Sequence, residues 1–240
     1  MNHMSVSQQQ LSFDTENGFY QSSVLTQKLK SYIHDEGVAT VRHRGDYLFR
    51  QGENVGNIYY IDEGCVAIVH LCPNDHRQIF DFQFKNSIIM DAGSFGTNAS
   101  HSAQCLSNVS MHILSTESFR RILLSEPQLY HAVGEVMNAA LIRAYRGLSN
   151  IMCRQGSARV AYILLAVHNG NNLPSEINQP TRVDNRIKIR QVDLAAAIGV
   201  TPVYFNQILK KMKADGLIKL VKGEIEICDL NAVKELTHRH

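Results

Sequence analysis

A chain of 240 residues, 44% hydrophobic and 19% charged with a formal net charge of +2, is long enough for one large or two small domains and too apolar to be disordered. Its opening MNHMSVSQQQ has no apolar signal core, and its most apolar run, Val160 to Val167, is far too short to span a bilayer, so a cytoplasmic protein without membrane contact is expected. The five cysteines, Cys65, Cys72, Cys105, Cys153 and Cys228, are scattered and never spaced C-x-x-C, which speaks against a disulfide framework or a zinc ribbon.

In chain order, Ser22 to Glu36 has helical spacing at Val24, Leu25, Leu29, Tyr32 and Ile33 and reads as a covering helix. From Val38 to about Ser115 the pattern changes to short β-type runs broken by glycine and polar residues: VATVRHRG, DYLFRQG, NIYYIDEG, CVAIVHL, RQIFDFQF, NSIIMD and VSMHIL. Their regular spacing predicts a small antiparallel barrel or sandwich. Pro127 then marks the start of a helix running to about Arg154. Within it Tyr130, Gly134, Met137, Leu141, Ala144, Leu148 and Ile151 alternate at steps of four and three, a heptad seam flanked by Arg143, Arg146 and Arg154. Such a stripe packs either on its own barrel or against a second copy, and its narrowness favours the copy. GSARVAYILLAVH, from Gly156 to His168, reads as a further helix, and NGNNLPSEINQPTRVDNR as a polar loop after it.

QVDLAAAIGVTPVYFNQILKKMK, Gln191 to Lys213, has apolar residues at Leu194, Ile198, Val200, Phe205 and Ile208, a small residue at Ala195 and a glycine at Gly199. Two short helices crossing steeply need a buried face, a close approach and a left-handed turn at these places. Thr201 can cap the second helix, with Pro202 at its first position. A two-helix hairpin of an ordinary core would share this periodicity. What separates the two readings is the outward chemistry of Val203, Tyr204, Asn206, Gln207, Lys210 and Lys211: amides suit base edges and lysines suit phosphates. LIKLVKGEIEI follows, two short apolar runs joined at Lys222-Gly223, the signal of a hairpin wing that also carries Lys219. Charge is divided in the same sense. Residues 1–150 hold 11 basic against 14 acidic side chains, net −3, and residues 151–240 hold 13 against 8, net +5.

The segment GDYLFRQGENVGNIYYIDEGCVAIV, Gly45 to Val69, resembles the β-roll of the cyclic-nucleotide-binding superfamily at Gly45, Leu48, Phe49, Gly52, Glu53, Tyr60, Ile61, Gly64 and Val66. With the winged helix downstream, the chain from about Val38 to Asp229 resembles a regulator of the Crp/Fnr family, to which the catabolite activator protein belongs. The resemblance implies an α+β chain. An N-terminal antiparallel β-roll (jelly roll) with its covering helix would occupy 1–125, a long dimerisation helix 126–155 and a winged helix-turn-helix domain 156–240. It also implies a homodimer zipped through Met137, Leu141, Ala144, Leu148 and Ile151, double-stranded DNA as partner, and contact with RNA polymerase.

In members of that family that bind cyclic AMP, Gly-Glu-Leu and, ten residues after its Glu, Arg-Ser/Thr-Ala form the phosphate cassette. The aligned residues here are Met90-Asp91-Ala92 and His101-Ser102-Ala103. The spacing is kept and the key side chains are changed: imidazole cannot replace a permanently charged, bidentate guanidinium. Asp91, His101 and Ser102, with Ala144 and Tyr145 on the long helix, are the expected effector pocket, and cyclic AMP is not its expected occupant. An iron-sulfur cluster is not expected, since no cysteine precedes Cys65. For haem, His34, His43, His76, His101, His112 and His131 are available but no spacing selects one, so neither a metal site nor a haem is assigned. Thiol sensing through Cys72 or Cys105 would require a lowered pKa.

Many relatives read guanine and cytosine through an Arg-Glu pair after the capping residue and another Arg three or four residues on. The matching positions here are Pro202, Val203 and Gln207. An A·T-rich half-site, repeated as a palindrome, is therefore expected. No nucleophile elbow, P-loop, HExxH or paired carboxylates point to an enzyme. The missing arginines leave one alternative open, a ligand-binding adaptor whose degenerate winged helix contacts protein.

Overall fold

The computed structural model describes residues 23–73, 77–91, 94, 96–172 and 183–237. The first covering-helix residue, Ser22, and Ala92 and His76 lie outside the described residues, as does most of the polar loop. Helix α1, Val24–Glu36, starts where the Ser23 hydroxyl accepts from the Thr26 N–H, and it buries Leu29 and Ile33. Eight strands follow: β1 (Val38–Arg42), β2 (Tyr47–Phe49), β3 (Asn57–Glu63), β4 (Val66–Leu71), β5 (Arg77–Gln83), β6 (Ile88–Ile89), β7 (Ser102–Cys105) and β8 (Val109–Ser115). They form two four-stranded antiparallel sheets, ordered β1-β8-β3-β6 and β2-β7-β4-β5, which is the β-roll. Phe49, Tyr59, Ile61, Val66, Ile68, Cys105 and Met111 fill the space between them.

Two elements of this half are absent from the sequence reading. Strand β7 begins at Ser102, inside the His101-Ser102-Ala103 triplet that the cassette alignment absorbed. Helix α2, Thr116–Ser125, is capped by Ser115 and buries Phe119, Ile122 and Leu123. Its apolar residues sit at the i, i+3, i+4 spacing that marks a helix. Together with Leu29, Ile33, Ile58, Leu114, Leu129 and Val133 they make a second core on the outer side of the first sheet.

Helix α3, Leu129–Cys153, and α4, Gly156–Asn171, lead to the C-terminal half. This half comprises β9 (Arg186–Ile187), α5 (Gln191–Ala197), α6 (Pro202–Ala214), β10 (Ile218–Val221), β11 (Glu224–Ile227) and α7 (Leu230–Leu236). Its small sheet runs β10-β11-β9. The wing therefore has a third strand, drawn from the end of the stretch read as loop.

The two halves share one core. In β4 the residues Val66, Ala67, Ile68 and Val69 are all buried, because Val66 and Ile68 face the roll interior while Ala67 and Val69 face the C-terminal half. Ala67, Val69, Ile79, Phe82 and Phe84 thus pack in one cluster with Val160, Leu164 and Val167 of α4 and Leu194 of α5. A Cβ on Gly170 would lie 2.2 Å from the Phe84 ring, so that ring sits directly on the α4 backbone.

Polar contacts pin the same seam. Arg77 Nη1 lies 2.6 Å from Oδ1 of the buried Asp193 on α5, and the Gln78 amide donates to the Ala196 carbonyl at 2.5 Å. Arg190 holds the other oxygen of Asp193 at 2.8 Å. The Arg77 Nε and Nη2 are buried with no hydrogen-bond partner, so this contact carries a desolvation cost and its strength rests on one short bond. Replacing Arg77 with Ala removes that cation while Arg190 still serves Asp193. We expect a loss of about 2 kcal/mol in urea unfolding, with limited proteolysis between the halves accelerated.

Candidate nucleic-acid interface and effector pocket

Gly199, at φ +66°, makes the left-handed turn between α5 and α6. The Thr201 hydroxyl then accepts from the Tyr204 N–H at 3.2 Å, and Pro202 opens α6. This helix buries Phe205, Ile208, Leu209 and Met212. Thr201, Val203, Tyr204, Asn206, Gln207, Lys210 and Lys211 are all exposed. An amide pair, the apolar tip of Val203 and the phenol of Tyr204 thus stand clear of the domain on one helix, with cations behind them. The wing turns through Lys222 and Gly223, both at positive φ (51° and 87°), as a two-residue hairpin loop requires.

The basic residues divide into two groups. Lys219 is ion-paired to Glu226 at 2.8 Å, and Arg186 reaches the same carboxylate at 3.3 Å. Lys188 pairs with Asp184 and Arg190 with Asp193. Lys210, Lys211, Lys213 and Lys222 enter no ion pair among the described residues. Of the lysines named from sequence, Lys219 is therefore the one already neutralised within the fold. Lys213, not named there, joins the unpaired set one turn on from Lys210.

On α3, Met137, Leu141 and Leu148 are 55%, 48% and 53% exposed, Ala144 is exposed and Ile151 half-buried. Tyr145 lies on the same open stripe, four residues from Leu141 and three from Leu148. Ala144 and Tyr145 are thus solvent-facing and not enclosed with Asp91. The opposite side of α3 is tied to the roll through Arg143, whose Nε donates to Asp81 at 2.8 Å.

The cassette residues themselves come together. Asp91 is buried, and its oxygens accept from the Ser100 N–H and hydroxyl, each at 3.3 Å. His101 Nδ1 lies 3.1 Å from Asp91 Oδ2 and 2.9 Å from Ser100 Oγ, with its ring near Phe49. Ser102 is buried with its hydroxyl accepting from the Gln51 N–H at 2.9 Å. The group aligned with a ribose-holding carboxylate is therefore occupied by protein donors. Ser100, the residue that closes it, was not picked out from sequence, although it adjoins His101. Burial lowers the His101 pKa, the pull of Asp91 opposes this, and nearby His70 adds to the lowering. The imidazole is consequently neutral at pH 7 and offers no fixed positive charge to a phosphate. Cys105, one of the two candidate sensing thiols, is buried and pushed up to about 11 by desolvation, so it is a protonated thiol in neutral solution. No single described helix is long and apolar enough to cross a membrane.

A jelly roll with a cassette-bearing wall, a long helix with an open apolar stripe, and a winged helix-turn-helix in this order define a two-domain regulator. Residues 41–126 match the cyclic nucleotide-binding domain family and residues 158–236 the Crp-like helix-turn-helix domain family. Among curated proteins, the CRP-like protein Clp of Xanthomonas campestris pv. campestris is 21% identical over 178 residues, covering 71% of this chain and 75% of that protein. FixK2 from Bradyrhizobium japonicum superposes with a TM-score of 0.73 at 14% identity, over 85% of this chain and 98% of that one. TTHA1359, a CRP/FNR-family transcriptional regulator from Thermus thermophilus, does so with a TM-score of 0.69 at 18% identity, over 84% and 99%. The chain belongs to the Crp/Fnr-type transcription regulators, with a helix-turn-helix DNA-binding domain.

The folded-state pKa of His101 is depressed, so the unfolded chain binds that proton more readily. The resulting stability is complete above about pH 6.5, the ordinary imidazole value, and is lost as pH falls toward the folded pKa. A His101→Gln variant lacks this dependence. Its urea midpoint should fall less than that of the unmodified protein between about pH 7 and pH 5. Parallel curves would show that His101 is not held neutral.

Proposed function

We propose that the chain is a sequence-specific regulator that binds a palindromic duplex operator as a homodimer, without cyclic AMP. The observation that carries this reading is the outer face of α6: Val203, Tyr204, Asn206 and Gln207 exposed together, followed by the unpaired Lys210 and Lys211. Amides pair bidentately with adenine and an apolar tip meets a thymine methyl, so the half-site is A·T-rich. Lys210, Lys211 and Lys222 supply the salt-dependent, sequence-blind part, with Lys213 beside them. Lys219 contributes less, because Glu226 already holds it. Thr201 is first a cap, its hydroxyl oxygen accepting from the Tyr204 N–H, with its O–H left to donate to a DNA phosphate. The role is regulatory and not enzymatic, exercised in the cytoplasm with RNA polymerase as the further partner that the family resemblance implies.

The dimer forms along the α3 stripe, where Met137, Leu141 and Leu148 stand exposed at the four- and seven-residue steps of a heptad seam. The Asp91, Ser100 and His101 cluster supports the exclusion of cyclic AMP: its carboxyl is already bonded and its imidazole is neutral. A solved structure of Clp from Xanthomonas campestris is described as c-di-GMP responsive. For this chain, a phosphodiester effector held through His101 is disfavoured for the same electrostatic reason.

Selection from a random duplex pool with the purified, ligand-free protein tests the reading. A palindromic, A·T-rich site with half-sites about one helical turn apart is expected. Enrichment of nothing in the absence or presence of cyclic nucleotides favours the adaptor that contacts protein. Gln207→Ala should cost about 1–3 kcal/mol and relax preference at one base position. Lys210→Gln should weaken all sequences alike and lower the salt slope by about one. Leu141→Lys should shift sedimentation from dimer to monomer and abolish cooperative occupancy of both half-sites.

A further inference from the structure

We propose that His34, Asp62 and His112 form a binding site for a divalent transition metal of the zinc class, bridging α1 to the first sheet of the roll. Their potential ligand atoms all lie within 4.8 Å of one another. His112 Nδ1 is 2.8 Å from Asp62 Oδ2, and the His34 and His112 rings are 4.1 Å apart between centroids. Two histidines and one carboxylate are a donor set that suits zinc, copper or nickel, with remaining positions left to water.

Two features of the backbone and one side-chain contact converge on this spot. His112 on β8 pairs across from Tyr60 on β3, and the register slips between Ile61 and Glu63, leaving Asp62 as the extra residue of a bulge. A bulge re-aims a side chain that regular alternation would send elsewhere. At the end of α1, a Cβ on Gly37 would lie 2.3 Å from the Ile33 carbonyl oxygen and 3.1 Å from His112 Cβ. The glycine therefore allows the last turn of α1, with His34, to sit directly over His112. Finally, His34 Nδ1 is 3.0 Å from Asp35 Oδ1, so this carboxylate is placed to support the ring from outside when the imidazole turns its other nitrogen to a metal.

The geometry is near, but not at, that of a closed tetrahedron. Bonds of about 2.0–2.1 Å place neighbouring ligand atoms about 3.3 Å apart, against the 4.8 Å limit observed here. His34, whose side chain is half exposed, closes that gap by rotating about its side-chain torsions. His112 and Asp62, more enclosed and already in contact, are the fixed part of the site.

The test uses the untagged, full-length protein stripped with chelator, then titrated with Zn2+ against a chromophoric competitor and with Cu2+ followed by electron paramagnetic resonance. The expected result is one metal per chain, hyperfine structure from two imidazole nitrogens, and a rise in Tm on the order of 5 °C at saturating Zn2+. His112→Ala and Asp62→Asn should each weaken binding at least about tenfold. His34→Gln alters a half-exposed side chain, so its metal-free Tm should match that of the unmodified protein while the Zn2+-induced rise disappears. The proposal is overturned by no saturable binding at micromolar metal, or by a Zn2+-induced rise that persists in His34→Gln. It is equally overturned if binding is lost on replacing the exposed Cys153 and Cys228 with Ser and kept in the histidine variants.

Discussion

The double-sided burial of β4 is the constraint on which the rest of the structure depends. Its run Val66 to Val69 gives one face to the roll and the other to α4 and the helix-turn-helix. Neither half has a complete core alone, because the outer face of β4 and β5 would otherwise present Ala67, Val69, Ile79 and Phe82 to water. Burying such side chains is worth about 1.5–3 kcal/mol for each large one. This sum outweighs the single short Arg77–Asp193 contact, whose guanidinium still has two nitrogens unpartnered. The ion pair therefore fixes register between the halves more than it holds them together.

Electrostatics of the cassette follow from burial in a similar way. In a site built to hold a phosphodiester, a permanent cation faces the ligand and a carboxyl is left open for its sugar. Here both requirements are reversed: His101 is neutral and Asp91 is bonded to Ser100 and His101. The polar groups satisfy one another inside the wall, which lets the fold keep a buried aspartate without a ligand to offset its desolvation.

Much of this was legible in the chain because it rests on local rules. Gly199, Thr201 and Pro202 carry the turn, cap and restart of the helix-turn-helix within a few residues, and Lys222-Gly223 marks the wing. Strand β7 and helix α2 were not recovered. The four residues of β7 have no alternation long enough to register, and α2 was lost between the strong strand signal of β8 and the proline at 127. The pairing of Lys219 with Glu226 was hidden for a different reason: cross-strand neighbours seven residues apart become adjacent only when hairpin register is known. The same holds, over longer range, for His34, Asp62 and His112, three residues spread over 79 positions that share no spacing rule. Single-residue features, a bulge at Asp62 and a close approach at Gly37, put them in one place.

Helix α1 connects that place to the long helix. The Thr26 hydroxyl donates to Glu135 of α3 at 2.6 Å, and Lys28 and Tyr32 both reach Glu126 just ahead of it. The root of α3 is thus clamped by side chains of α1, while His34 at the far end of α1 lies over the first sheet. The apolar stripe begins only a few residues beyond Glu135. A helix anchored at its root has less freedom to tilt along its length, and a pair of such helices meets with less entropy to lose than a pair rooted loosely. In the proposed homodimer, fixing α1 to the sheet would therefore favour ordered pairing of the stripe without touching it, and that pairing would set the separation of the two α6 helices. On the proposed reading the covering helix would act on DNA recognition indirectly: its hold on α3 would govern how firmly two half-site readers keep their spacing.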